Sequence, residues 1–189
     1  MYKTYKYKNG EIKLLKNEIP MARDYEYRSK FFQVIRKTQQ LDNEFSLGIE
    51  MKIHRGGRIC YGLLGAEVKS GKNLEAINVH IAYTDKNRIR YNDSCLINDE
   101  FVYKGLPEEY IEKINSSITE EILNRKNFPQ CDIFFDYAAN CEVGSSPALF
   151  GCIAKMLIRL ISSNLMDQIF NMGIKEFTEE FVQDINLRY

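Results

Sequence analysis

The chain has 189 residues, 44% hydrophobic and 28% charged, which fits one globular domain with room for an added element at either end. Its formal net charge is zero, with 26 Lys and Arg against 26 Asp and Glu. That balance counts against strong autonomous nucleic-acid binding, whose affinity comes mostly from phosphate neutralisation. Five cysteines with no CxxC spacing and two histidines suggest neither a disulfide framework nor a metal site.

No run approaches the ~18 consecutive apolar residues of a membrane helix. The start, MYKTYKYKNGEIKLLK, lacks the apolar stretch of a secretory signal. A cytoplasmic location is expected, with free thiols and no cofactor. The charge is unevenly spread. Residues 1–60 hold 13 Lys and Arg against 7 acids, and residues 96–147 hold 4 against 10. The N-terminal half therefore still has the charge for a local basic surface.

In chain order, strand-like runs over 2–8 and 11–17 flank Asn9-Gly10, the strongest short hairpin signal. Met21–Gln39 reads as a helix with Tyr25, Phe31, Phe32, Val34 and Ile35 on its apolar face. Three strands follow: Phe45–Ile53, Ile59–Val68 and Glu75–Tyr83. They turn at Arg55-Gly56-Gly57-Arg58 and at Ser70-Gly71-Lys72-Asn73. Residues 84–100 are polar, and Asp85–Arg90 suggests a hairpin into Ile89–Tyr91.

Leu106-Pro107-Glu108-Glu109 starts a helix whose face carries Tyr110, Ile111, Ile114, Ile118 and Ile122. Cys131–Tyr137 is a strand. Ser145 or Ser146 caps a further helix with Pro147 just inside it, and Leu149, Phe150, Ile153, Met156, Leu157, Leu160 and Ile161 form its buried stripe. Helical pattern continues beyond Leu165, interrupted near Gly173. An antiparallel meander followed by helix–strand–helix implies an α+β two-layer sandwich.

Three motifs, in order, resemble domain IV of translational GTPases of the elongation factor G type. They are Gly56-Gly57-Arg58-x-x-Tyr61-Gly62 between the first two strands, Lys104-Gly105-Leu106-Pro107-Glu108-Glu109-Tyr110-Ile111 at the first long helix, and the strand–loop–helix from Cys131 to Phe150. The last looks closest to the ribosomal-protection tetracycline-resistance proteins. The resemblance covers about residues 45–165 and implies a ribosomal protein S5 domain 2-like fold with a left-handed crossover. Residues 1–44 would add a hairpin and helix, and 166–189 a helical tail.

The chain departs from the family in several places. A longer spacing from Gly62 to Pro107 implies an inserted hairpin near 84–100. The family's tip histidine aligns with Cys141. No GxxxxGK[ST] phosphate loop exists, so GTP hydrolysis has no site.

The resemblance implies a stand-alone, non-enzymatic module for translation that docks on the small ribosomal subunit or structured RNA. Arg55 and Arg58 would contact phosphate across Gly56 and Gly57. The Ala138–Gly144 loop, through Asn140, Cys141 and Glu142, would probe bases. The plain alternatives are a simple hairpin turn and a helix-capping connection.

A second reading keeps the fold as a protein-interaction or regulatory module, with a protein partner or homo-oligomer at the terminal additions. A third is a small-molecule enzyme using Val143-Gly144-Ser145-Ser146 as an anion site. His54 and His80 lie in no nucleophile motif. The acidic stretch Glu108–Glu121 reads as the solvated face of its helix. The alternation of Tyr2, Tyr5 and Tyr7 with lysines fits a half-buried edge strand or a nucleic-acid surface.

Overall fold

The expected N-terminal hairpin is present, β1 (Tyr2–Tyr7) against β2 (Gly10–Lys16), but displaced by one residue: Gly10 is the first residue of β2, paired with Tyr7, and is not a turn residue. The computed structural model describes residues 2–7, 9–19, 27–35, 39–41, 43–72, 75–84, 89–96 and 101–162. The remaining strands are β3 (Arg28–Ile35), β4 (Gln39–Gln40), β5 (Phe45–Arg55), β6 (Arg58–Ser70), β7 (Ala76–Tyr83), β8 (Val102–Lys104) and β9 (Pro129–Cys141). The α-helices are α1 (Ile111–Asn124), preceded by one 3-10 turn over Glu108–Tyr110, and α2 (Pro147–Ser162).

The sheet runs β1-β2-β5-β6-β9-β7-β3. Its neighbours are antiparallel except β7 and β9, which are parallel and joined through α1. β9 is the strand with the most partners. One edge pairs with β6 and the other is shared by β4, β7 and β8. The fold is α+β.

Strand alternation sends one set of side chains to the helices. Ile49 and Met51, Leu64 and Val68, Val79 and Ile81, and Ile133 and Phe135 meet Ile114, Ile118 and Ile122 of α1 and Phe150, Ile153 and Leu157 of α2. Each such fully buried side chain stabilises the fold by about 1.5–3 kcal/mol. The i, i+4 spacing of Ile114, Ile118 and Ile122 gives α1 one continuous apolar face. Among the described residues no helix is long and apolar enough to cross a membrane.

Part of the opposite face is covered as well. Tyr61, Leu63, Ala139 and Cys141 pack with Tyr91 and Val102 in a second, smaller core, bordered by Ile19, Ile89, Cys95 and Leu96. The polar insertion after β7 thus forms a cover over the sheet, adding a partial third layer to the expected two. It pairs with β8 only briefly, through the Arg90↔Tyr103 bridge, with Tyr91 N–H donating to the Val102 carbonyl at 2.9 Å. Residues 85–88 and 97–100, where the inserted hairpin was expected, lie outside the described residues.

The expected helix over Met21–Gln39 is corrected. Its described core is the strand β3, paired antiparallel with β7 from Arg28↔Tyr83 to Ile35↔Ala76. Phe32 and Val34 point to the helix-side core while Phe31, Gln33 and Ile35 are exposed. Four apolar residues crowded into 31–35 satisfy either period, and pairing with a strand more than 40 residues away decides between them. The hairpin and β3 therefore extend the sheet at its two ends. The tail 166–189 lies outside the described residues.

The acidic helix face is also corrected at its end. Glu121 is buried and accepts hydrogen bonds from Arg159 Nε at 2.9 Å and from Arg125, while Lys155 Nζ donates to Glu120 at 2.7 Å. These pairs lock α1 to α2. Burial raises the Glu121 pKa, and the hydrogen bonds from Arg159 and Arg125 more than offset that, so the net shift is below the ordinary 4.5. A depressed folded-state pKa contributes stability that is present above the unfolded value and lost as pH falls through the folded one. Stability should therefore fall below about pH 4.5, more steeply than in Glu121→Gln. Urea midpoints measured from neutral pH to pH 3 test this, and parallel curves for the two proteins would refute it.

Candidate nucleic-acid interface

The β5–β6 hairpin turns through only two residues, Gly56 and Gly57, with φ of 52° and 80°. Positive φ at both central positions is the type I′ geometry that matches strand twist, and glycine adopts it without a Cβ clash. An added Cβ at either position would meet nothing within 4 Å, so conformation, not crowding, calls for glycine. Arg55 and Arg58 are the last cross-strand pair, one on each side of the turn. Like charges directly opposite each other on a hairpin are unfavourable by ~0.2–1 kcal/mol. Arg58 is exposed and Arg55 half-buried. His54, next in the strand, is exposed, and its backbone N–H donates to the Asn9 carbonyl at 2.6 Å. Asn9, just before β2, thus lies at the same end of the sheet.

The second predicted element reaches this end too, but is shorter than expected. β9 continues to Cys141, so only Glu142–Gly144 form the tip. Cys141 N–H donates to Ser145 Oγ at 2.7 Å, and Ser145 Oγ–H donates to the Tyr61 carbonyl at 2.6 Å. Tyr61 N–H donates to the Gly144 carbonyl at 3.0 Å. A Cβ on Gly144 would sit 2.2 Å from the Ile59 carbonyl oxygen, so this close approach admits only glycine. The tip is therefore clamped to β6 just after Arg58. Glu142 and Val143 are exposed, Val143 at 85%.

Two predicted contact residues change role. Asn140 donates its side-chain N–H to the Gly105 carbonyl at 2.9 Å, and Cys141 is buried in the second core. Asn140, half-buried, ties β9 to the chain entering α1 through its side-chain N–H, and the Cys141 side chain is buried. Arg55, Gly56, Gly57, Arg58 and Glu142 remain on the surface.

One neighbouring pair was not found from sequence. Val102 pairs with Cys141, which brings Phe101 alongside the tip. Phe101 is 47% exposed, with the Arg90 guanidinium 4.1 Å above its ring. An arginine stacked on an exposed aromatic ring offers charge and a flat apolar surface together. Nothing in the local sequence around Arg90 names Phe101 as its neighbour, so only the fold reveals the pairing. No protein-family model, curated protein or solved structure matches this chain.

The other chemistry-bearing groups are engaged elsewhere. Burial, then Asp132, pushes the Cys131 thiol up to about 12, and burial with the nearby Glu50 carboxylate pushes Cys95 up further. Both thiols are protonated at neutral pH and poor nucleophiles. His80 stacks on Phe134 at 4.5 Å and 8°. Ser146 Oγ accepts the Leu149 N–H at 3.2 Å, so the Gly-Ser-Ser hydroxyls serve the tip and the α2 cap. Tyr5 and Tyr7 pack against the main core, as the edge-strand reading of β1 expects.

Proposed function

We propose that this chain is a stand-alone, non-GTPase module with the S5 domain 2-like fold of elongation factor G domain IV, and that it binds the ribosome or structured RNA. Support for the fold comes from the sub-sheet β5-β6-β9-β7, in which three strands, a helix, a parallel strand and a second helix follow in the order the resemblance implies. The observation that carries the binding reading is the Arg55–Arg58 pair. Arg55 and Arg58 are cross-strand partners beside a clamped tip, and together they offer two positive charges to one phosphate. Arg55 and Arg58 contact phosphate, Val143 presents an apolar knob, and Arg90 on Phe101 offers a stacking surface for an unpaired base.

The test is co-sedimentation with small ribosomal subunits at low and physiological salt. Saturable binding that a decoding-site ligand displaces is expected. Arg55→Ala combined with Arg58→Ala should weaken it and reduce the salt slope by roughly one per lost phosphate contact. Unchanged binding in the double variant removes the phosphate role. No wild-type binding at low salt, where electrostatic attraction is strongest, overturns the ribosome reading and leaves the protein-interaction alternative. Exposed Phe31 and Ile35 on β3 favour that alternative.

A further inference from the structure

Among the described residues, β3 is the last strand at its end of the sheet. An outer strand presents unpaired backbone donors and acceptors, and monomers usually block them with proline, bulges or charge. β3 has no proline, and its register with β7 is unbroken over all 8 residues. Its charges sit at one end, at Arg28 and Lys30, and Lys30 is drawn to Glu108 at 3.0 Å. Further along, Phe31 is 57% exposed and Ile35 70%. They share the open face with Gln33.

The aromatic row on that face does not present a stacking platform. Phe31, His80 and Phe134 lie on neighbouring strands, with centroids 5.1 and 4.5 Å apart and the inner two rings parallel. Rings stacked at strand spacing stand upright on the sheet and present their edges outward. Phe31 is the outermost ring of this row and remains 57% exposed on the edge strand.

We propose that two copies of this chain join edge to edge, β3 against β3 in antiparallel, with Gln33 on the two-fold axis. Only registers that pair exposed positions with exposed positions keep each face intact. Centring on Gln33 sets Phe31 across from Ile35 of the second copy on the open face. It sets Phe32 across from Val34 on the helix side. Within 31–35 the Gln33-centred register pairs only uncharged side chains, whereas centring on Phe31 would oppose Lys30 to Phe32 and Arg28 to Val34, charge against apolar side chain.

The polar row favours the same axis. Gln33 Nε2 donates to Asn78 Oδ1 at 3.1 Å, and Asn78 Nδ2 to Asp132 Oδ1 at 2.8 Å. Each Gln33 keeps one amide hydrogen and its carbonyl oxygen for a reciprocal pair across the axis. The contact is isologous, so it closes at two copies. This inference does not depend on ribosome binding.

Sedimentation equilibrium of the full chain tests it. The expected mass is twice the 22.1 kDa of one chain. Phe31→Lys combined with Ile35→Lys should halve the mass and leave the folded circular dichroism spectrum unchanged, while Tm falls and loses its dependence on protein concentration. Under mild oxidation, Gln33→Cys should give a reducible linked dimer. Tyr2→Cys on the opposite edge should give no more than wild type.

A wild-type monomer across the accessible concentrations overturns the proposal. So does a lysine variant that folds and remains dimeric. If the lysine variant fails to fold, the Gln33→Cys link decides alone: its presence supports the interface and its absence refutes it.

Discussion

Glu50→Ala is expected to destabilise the protein by about 3–5 kcal/mol, the scale of breaking a buried polar cluster at one partner. Glu50 is 1% exposed and ties three segments together. Its Oε1 accepts the Tyr61 O–H at 2.8 Å and the Cys95 N–H at 2.9 Å, and Lys13 Nζ lies 3.7 Å from Oε2. Alanine leaves the buried hydroxyl and amide without an acceptor and opens a void beneath the 89–96 cover. Glu50→Gln keeps a carbonyl oxygen for both donors and should cost a third of that or less. Urea unfolding of the three proteins separates these outcomes. Equal losses for Ala and Gln would show that the charge facing Lys13 matters and that the two donors do not.

Phe150→Ala should cost a similar amount, about 3–5 kcal/mol, through lost burial and an unfilled cavity. Phe150 is fully buried. Its ring lies 5.3 Å from that of Tyr110, and it packs against Gly62 on β6. A Cβ on Gly62 would meet Phe150 Cε2 at 3.1 Å and Ile153 Cδ1 at 2.9 Å. Gly62→Ala alone should therefore destabilise by about 1–3 kcal/mol through overpacking. In the Phe150→Ala background the added methyl enters the vacated space and its cost should shrink. Strict additivity in that double-mutant cycle would mean that the two residues do not share the contact.

Strands were legible where apolar residues alternate along the sequence, as in 45–53 and 75–83, or form a near-continuous apolar run between turn signals, as in 59–68, which is buried on both faces from Tyr61 to Ala66. All three are strands of the observed sheet. The error at 21–39 came from the short cluster Phe31, Phe32, Val34 and Ile35, which carries no periodic information over so few residues. The error at 138–141 has a different cause. Gly65 pairs with Tyr137 and Glu67 with Phe134, so β9 holds an extra residue there. This bulge moves the core-facing position from Cys131, Ile133 and Phe135 to Ala138. The apolar alternation breaks at Asp136, so the strand looks finished four residues before its end.

At the candidate interface the Gly56-Gly57 turn was legible, because a Gly-Gly pair states its backbone requirement directly. Contact between the turn and the tip follows from the β6–β9 pairing, which brings together residues about 80 positions apart in the chain. Local patterning holds no trace of it. The same is true of Arg90 on Phe101 and of Glu50 beneath Cys95.

The position of β9 also bears on how the chain acquires its structure. β6 and β7 are neighbours in sequence, yet β9 separates them in the sheet, with Asn78 reaching Asp132 54 residues later. Until residues 129–141 have been synthesised and inserted, the two halves of the sheet have exposed inner edges and no strand to join them. Folding must therefore wait for a late, non-local insertion, which belongs to the slow millisecond-to-second class of topologies. During that wait the edges of β6 and β7 are open to mispairing. That interval makes the emerging chain a natural client for chaperones that shield strand edges.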